Sequence, residues 1–269
     1  MKKAFDALFE KYAKEEYLSS DPIFFPKQFT NKQDIEIVAF ISALFSYGNV
    51  VSIKKFLENL FYILTPSPFS YLKYGDINEK SIISLKYRFQ TGKDIFYFLK
   101  ALHKILQTKS SLESLFGPIK LDIQTRILQF QNEFKNYLDH RSYGLDFLIG
   151  KGIKNSSNKR LNMFLRWMTR KNFPDFGIYT TFKEEDLLYP TDVHIIKLSQ
   201  ALGITNLKSI NSKFTKEISN YFKNISPKDP VKYDFALTRL GILKECKTEY
   251  YRSICSKCEL KKICKIYPL

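Results

Sequence analysis

From Asp34 to Phe45 the chain has almost no polar side. Ile35, Ile37, Val38, Phe40, Ile41, Ala43, Leu44 and Phe45 cover nearly every face that a helix of 3.6 residues per turn would present. Such a helix must be buried all round, so the chain has to build a core around it. Its 269 residues, 44% of them apolar, suffice for one large core or two small ones. The helix should end at Ser46-Tyr47-Gly48-Asn49, where Gly48 can take the left-handed conformation that closes a helix.

The same periodicity runs along most of the chain. Lys2 to Tyr17 reads as an amphipathic helix with Phe5, Leu8, Phe9 and Tyr12 on one side, broken by Asp21-Pro22 and Phe25-Pro26. Ile53 to Leu64 continues as a helix to Thr65-Pro66-Ser67-Pro68, and Ile82 to Gln107 and Leu112 to Tyr137 repeat apolar residues at three and four. Val193 to Leu202, Asn211 to Phe222 and a last helix through Asp234 to Gly241 follow. Sustained alternation with hairpin turns is missing, so the expected class is all-α. With 24 Phe and 17 Tyr, a single aromatic such as Trp167 is expected in the core.

A net charge of +16 points to a polyanionic partner. The longest apolar run, Ile37 to Phe45, is too short to span a bilayer, and the first residues lack the apolar centre of a signal peptide. The expectation is a cytoplasmic protein with no membrane partner. Disulfides do not persist there, so four cysteines crowded near the C-terminus need another use.

The positive charge is uneven. Between Phe147 and Pro174 there is no Asp or Glu, yet Lys151, Lys154, Lys159, Arg160, Arg166, Arg170 and Lys171 all fall there. As a helix, Lys159 to Lys171 buries Leu161, Phe164, Leu165 and Met168 and turns Lys159, Asn162, Arg166 and Arg170 outward. Ser156, Ser157 and Asn158 are competent caps ahead of it, and a helix start flanked by lysines can hold a nucleic-acid phosphate. Taken alone, the segment reads first as a solvated basic helix. Asp192 then starts the next helix, where Asp commonly caps, and His194 beside it reads as a satisfied core histidine.

Cys246, Cys255, Cys258 and Cys264 form Cys-x8-Cys-x2-Cys-x5-Cys. Four thiolates with one Cys-x2-Cys knuckle can wrap a metal centre. Structural zinc usually takes two knuckles, whereas a [4Fe–4S] cluster accepts uneven spacing, so iron–sulfur is preferred over zinc.

A lysine opening one helix, an aspartate opening the next and a C-terminal four-cysteine loop together resemble the endonuclease III superfamily of helix-hairpin-helix DNA glycosylases. TDVHI is similar to that family's aspartate motif and implies catalytic Asp192; KRLNMFL is similar to its Lys-x-x-Asn helix start and implies catalytic Lys159. YDFALTRLGILKEC resembles the helix leading to the first cluster ligand, which implies Cys246, Cys255, Cys258 and Cys264 as ligands of a [4Fe–4S] cluster. KRLNMFLRWMTRK and SPKDPVKYDFALTRLGI are closer still to a bacterial family of unassigned function within that superfamily, and the wide Lys159 to Asp192 separation is similar to archaeal 8-oxoguanine glycosylases. The hairpin's two glycines are missing from NSSNK; Gly150-Lys151-Gly152 supplies them instead and would make Lys154 the nucleophile. The first cysteine spacing also exceeds the family's usual one.

The resemblance implies a helical barrel over residues 35–170 with a hairpin-like element, and a second helical domain from 1–34 and 171–269 that carries the cysteines, with a DNA cleft between. It implies a monomer acting on double-stranded DNA with a damaged base, as a base-excision N-glycosylase with lyase activity, oxidised purines such as 8-oxoguanine being one candidate lesion. Lys151, Lys154, Arg160, Arg166 and Arg170 would meet DNA, and Tyr47 or Asn49 would fill the gap left in the duplex. The chemistry suits the residue pair. A flipped nucleotide exposes C1′, a neutral amine can attack it, and a carboxylate stabilises charge on the sugar and assists proton transfer. Two other readings fit parts of the sequence: a nucleic-acid-binding protein of the same fold that flips no base, and an iron–sulfur redox-responsive DNA-binding protein.

Overall fold

A computed structural model describes residues 1–268. The helices in chain order are α1 (Lys2–Tyr12), α2 (Lys32–Leu44), α3 (Val50–Ile63), α4 (Pro68–Tyr74), α5 (Glu79–Ile82), α6 (Gly92–Thr108), α7 (Ile123–Asn136) and α8 (Tyr143–Ile149). They continue with α9 (Lys159–Thr169), α10 (Val193–Ala201), α11 (Ser212–Ile225), α12 (Asp234–Ile242) and α13 (Arg252–Cys255). Among the described residues no strand forms, only an isolated bridge between Tyr87 and Gln90. The fold is all-α. None of its described helices is long and apolar enough to cross a membrane.

Chain contacts define two compact units, Asp21–Lys154 and Met1–Ser20 together with the chain from Asn155 onward. In the first, α2 is the central element, and every residue from Asp34 to Leu44 is buried. Phe40 meets the rings of Phe98, Phe130 and Phe134 at centroid distances of 6.1, 5.4 and 5.8 Å. Its two buried acids serve other elements. Asp34 Oδ1 accepts from Ser67 Oγ (2.8 Å) and Phe69 N (2.9 Å) at the start of α4, and Glu36 Oε1 accepts from Ser111 Oγ (2.6 Å) and Leu112 N (3.1 Å). Each carboxylate thus satisfies N–H groups that a helix start leaves without partners.

In the second unit, α1 buries Phe5, Leu8 and Tyr12. Phe5 packs on Phe222 of α11 and on Tyr233. The helix α9 belongs to this unit, whereas the sequence expectation grouped it with the 35–170 barrel. What holds it is the segment that follows: Phe176 N donates to Trp167 O (2.8 Å) and Tyr179 N to Met168 O (2.7 Å). The last turn of α9 is therefore stitched to its own downstream chain.

Candidate active site

Lys159 is the first residue of α9 because the polar turn before it ends in Asn158, whose backbone is left-handed (φ 48°, ψ 37°) and cannot continue a helix. Asn162 reaches back over that turn, its Nδ2 donating to Ser157 O at 2.9 Å. Asp192 sits in extended backbone before α10 (φ −140°, ψ −170°). The approach to it is pinned: Tyr189 N donates to Ser219 Oγ (2.8 Å), and the hydroxyls of Thr191 and Thr215 share a hydrogen bond of 2.6 Å.

The two oxygens of Asp192 divide the work. Oδ1 accepts from His194 N (2.9 Å) and Ile195 N (3.0 Å), which caps α10; Oδ2 lies 3.8 Å from Lys159 Nζ. Both side chains are 25% exposed, so the pair is reachable from solvent yet not freely solvated. An ion pair of that length and exposure adds well under about 1 kcal/mol to stability. The cap is worth about 1 kcal/mol and needs only one oxygen. Fold stability therefore does not account for the second oxygen facing an amine.

Arg166 of α9 and Arg170, which follows it, are not on a surface. Every residue from Leu161 to Thr169 is buried, and Arg166 and Arg170 are 3% and 2% exposed. Arg166 Nη2 pairs with Asp175 Oδ1 at 3.1 Å, and its Nη1 with Asp234 Oδ2. Arg170 Nη1 pairs with Asp175 Oδ2 (3.1 Å) and Nε with Asp229 Oδ2 (2.7 Å). The outward basic face expected from the sequence is thus corrected for these two residues: acids from later in the chain fold over them, and they offer nothing to a phosphate. Trp167 is fully buried, as a packing residue. His194 is exposed, contrary to its reading as a core residue, and its ring packs against Gly241, where an added Cβ would lie 2.8 Å from Nδ1.

Lys151 and Lys154 are exposed and lie in the unit of α2, and Arg160 is half-buried. Lys159 carries the carboxylate neighbour; among the described residues Lys154 pairs with none. The backbone at Gly150 and Gly152 is left-handed (φ 94° and 71°), so the turn after α8 uses its glycines. Asn49 caps α3, accepting from Ser52 N at 2.8 Å, and Tyr47 is half-buried with its hydroxyl donating to Gln90 Oε1.

Sequence reasoning passed over Asp175, Tyr189 and Asp234. Asp234 opens α12; burial pushes its carboxyl up to about 6, Arg166 opposes the rise, Asp192 adds to it and Lys159 opposes it. Burial likewise raises Asp175 against the pull of Arg166 and Arg170, and raises the Tyr189 phenol, with Asp234 adding to it. Asp234 Oδ1, Tyr189 OH and Asn162 Oδ1 are buried without a hydrogen-bond partner among the described residues. The available signal was an arithmetic one: cations in an acid-free stretch, if buried, require acids from outside it.

The four cysteines are half-buried and unpaired. Burial pushes the Cys246 and Cys258 thiols up, and the other cysteines add to it: Cys264 and Cys255 for Cys246, Cys246 and Cys264 for Cys258. Cys255 Sγ accepts from Tyr251 N at 3.4 Å, and Lys265 N ties the loop to Ala201 O at 2.9 Å. Among the described residues no three His, Cys, Asp or Glu side chains converge as around a single ion. Beside Cys246 a cavity of about 260 Å³ is lined by His194, Lys197, Lys244, Lys247 and Thr248.

A family model described as a protein of unknown function (DUF2400) matches residues 21–243. The chain belongs to that family. Lys159, Asp192, Asp234 and the buried arginines all lie inside the DUF2400 match, whereas the first 20 residues and the four cysteines lie outside it. Comparison with curated proteins gives no match. Comparison with solved structures gives none.

Proposed function

We propose that this DUF2400 member is a base-excision DNA glycosylase with lyase activity, in line with its resemblance to the endonuclease III superfamily. The observation that carries the reading is the 3.8 Å approach of Lys159 Nζ to Asp192 Oδ2, two side chains at separate helix starts, each a quarter exposed. A nucleotide flipped out of the duplex would present C1′ to this pair. Asp192 takes a proton from the Lys159 ammonium, and the free amine attacks C1′. The bond to the base breaks with its electron pair leaving on the base, which then takes up a proton. The C1′–O4′ bond then opens, its electron pair leaving on O4′, which takes up a proton, as the nitrogen and C1′ form an iminium; loss of a proton from C2′ then expels the 3′ phosphate by β-elimination. Oxidised purines such as 8-oxoguanine are the first lesions to test.

A net charge of +16 supports a duplex partner, and the cavity lined by His194, Lys197, Lys244 and Lys247 offers phosphate a cationic surface two residues from Asp192. Cys246, Cys255, Cys258 and Cys264 would hold a [4Fe–4S] cluster. The uneven Cys-x8-Cys-x2-Cys-x5-Cys spacing, with one knuckle where structural zinc usually takes two, supports the cluster over a zinc ion. Such a cluster supplies cross-linking of the loop and a one-electron couple.

The test is borohydride trapping with a panel of lesion-containing duplexes. Lys159→Ala should abolish the covalent complex and spare duplex binding, and Lys154→Ala should leave trapping intact. Loss of trapping in Lys154→Ala alone would transfer the nucleophile to that residue. Wild-type protein that binds duplex and releases no base from any lesion would refute the enzyme. Iron content of anaerobically purified protein tests the cluster, with zinc as the overturning result.

A further inference from the structure

Arg166 lies seven residues after Lys159 on α9, two turns along the same face, so the amine and the guanidinium share one side of the helix. The guanidinium is not alone there. Arg166 and Arg170 meet three carboxylates, Asp175, Asp229 and Asp234, and an excess negative charge in a buried set is costly unless one proton joins it. One carboxyl is better placed than the others to carry that proton. Both oxygens of Asp175 are engaged by guanidinium groups; Asp229, like Asp234, leaves one buried oxygen without a partner, but its side chain is the most exposed of the three, at 13%. Asp234 gives one oxygen to Arg166, keeps the other buried without a partner, and is 4% exposed at its side chain.

We propose that Asp234 is a positioning residue for the Lys159–Asp192 pair: it gains or releases one proton while held by Arg166, and the charge it carries sets how readily Lys159 passes its own proton to Asp192. The charges facing it come from every side. Lys159 and Arg166 stand on α9, Tyr189 and Asp192 lead into α10, and Asp175, Arg170 and Asp229 complete the buried set. Burial brings its titration to about 6, and both Lys159 and Asp192 act on it. Such coupling is mutual. With Asp234 ionised, its negative charge attracts the Lys159 ammonium but repels the Asp192 carboxylate more strongly, which on balance favours passing the proton to Asp192; with Asp234 neutral, that push is gone. The consequence for catalysis rests on the reading of Lys159 and Asp192 as the reacting pair, while the charge coupling stands independently of it.

The experiment follows the ¹³C resonances of the aspartate carboxyls through the range around pH 6, with Asp192→Asn and Asp234→Asn assigning the two signals. In wild type the Asp192 signal should show a step at the midpoint at which Asp234 itself titrates, and Asp234→Asn should remove that step. A wild-type Asp192 signal without the step overturns the proposal even where Asp234→Asn fails to fold, as does a step that persists in the variant. A second arm measures trapping rate against pH: the change centred near pH 6 should vanish in Asp234→Asn and remain in Asp34→Asn. If wild type traps no duplex, the glycosylase reading falls and the resonance step still decides the coupling.

Discussion

Two sets of buried carboxylates, one in each unit, show how the same side chain is used for opposite ends. Asp34 and Glu36 on α2 are 5% and 4% exposed and place an oxygen on two donors each at a neighbouring helix start. Asp234 on α12 is 3% exposed, faces a guanidinium with one oxygen and leaves the other without a partner. A carboxylate satisfied by backbone N–H groups needs no further explanation than the cap it makes. One that keeps a buried oxygen free beside ionisable neighbours is where function is to be sought.

The largest effect expected from that contrast concerns Asp192, which combines both uses. Asp192→Asn keeps a carbonyl oxygen for the cap, so stability should change by less than about 1 kcal/mol, while base release should fall by roughly 10²- to 10⁴-fold with the proton acceptor gone. Steady-state excision beside urea melts measures both; a loss of activity matched by an equal loss of stability would reduce Asp192 to a cap. Next in size is Asp234. Its carboxyl is raised in the folded state from 3.8 to about 6, so the neutral form favours the fold: this stabilisation is complete below about pH 4 and is lost as pH rises through 6. The shift corresponds to about 3 kcal/mol. The stability advantage of wild type over Asp234→Asn should therefore shrink by about that much between acid and neutral pH, and a difference constant with pH would rule it out.

How much of this was legible in the sequence depends on the range of the forces involved. The helical class and the burial of α2 follow from local periodicity, which needs no knowledge of the partner elements, and the cap at Asp192 follows from one residue before an apolar helix. The pairing of Lys159 with Asp192, 33 residues apart, was reached only through a resemblance, because nothing local fixes where two helix starts meet. The fate of Arg166 and Arg170 was missed for the same reason. Their helical spacing is compatible with a wet basic face, and only Asp175, Asp229 and Asp234, brought in by the fold, turn that face inward. Among the cysteines, clustering in the sequence was plain, while their half-buried mutual placement was not.

The smallest expected effect sharpens the contrast from the side of the satisfied acids. Asp34 Oδ1 alone receives both the Ser67 hydroxyl and the Phe69 N–H. Asn at that position keeps an oxygen where both donors point, so Asp34→Asn should cost less than about 1 kcal/mol. Asp34→Ala removes the acceptor and leaves a buried N–H without a partner, at about 1 to 3 kcal/mol. If Asn and Ala prove equally damaging in urea denaturation, the negative charge of Asp34 matters in its own right. The distinction between a capping acid on α2 and a proton-holding acid on α12 would then no longer hold.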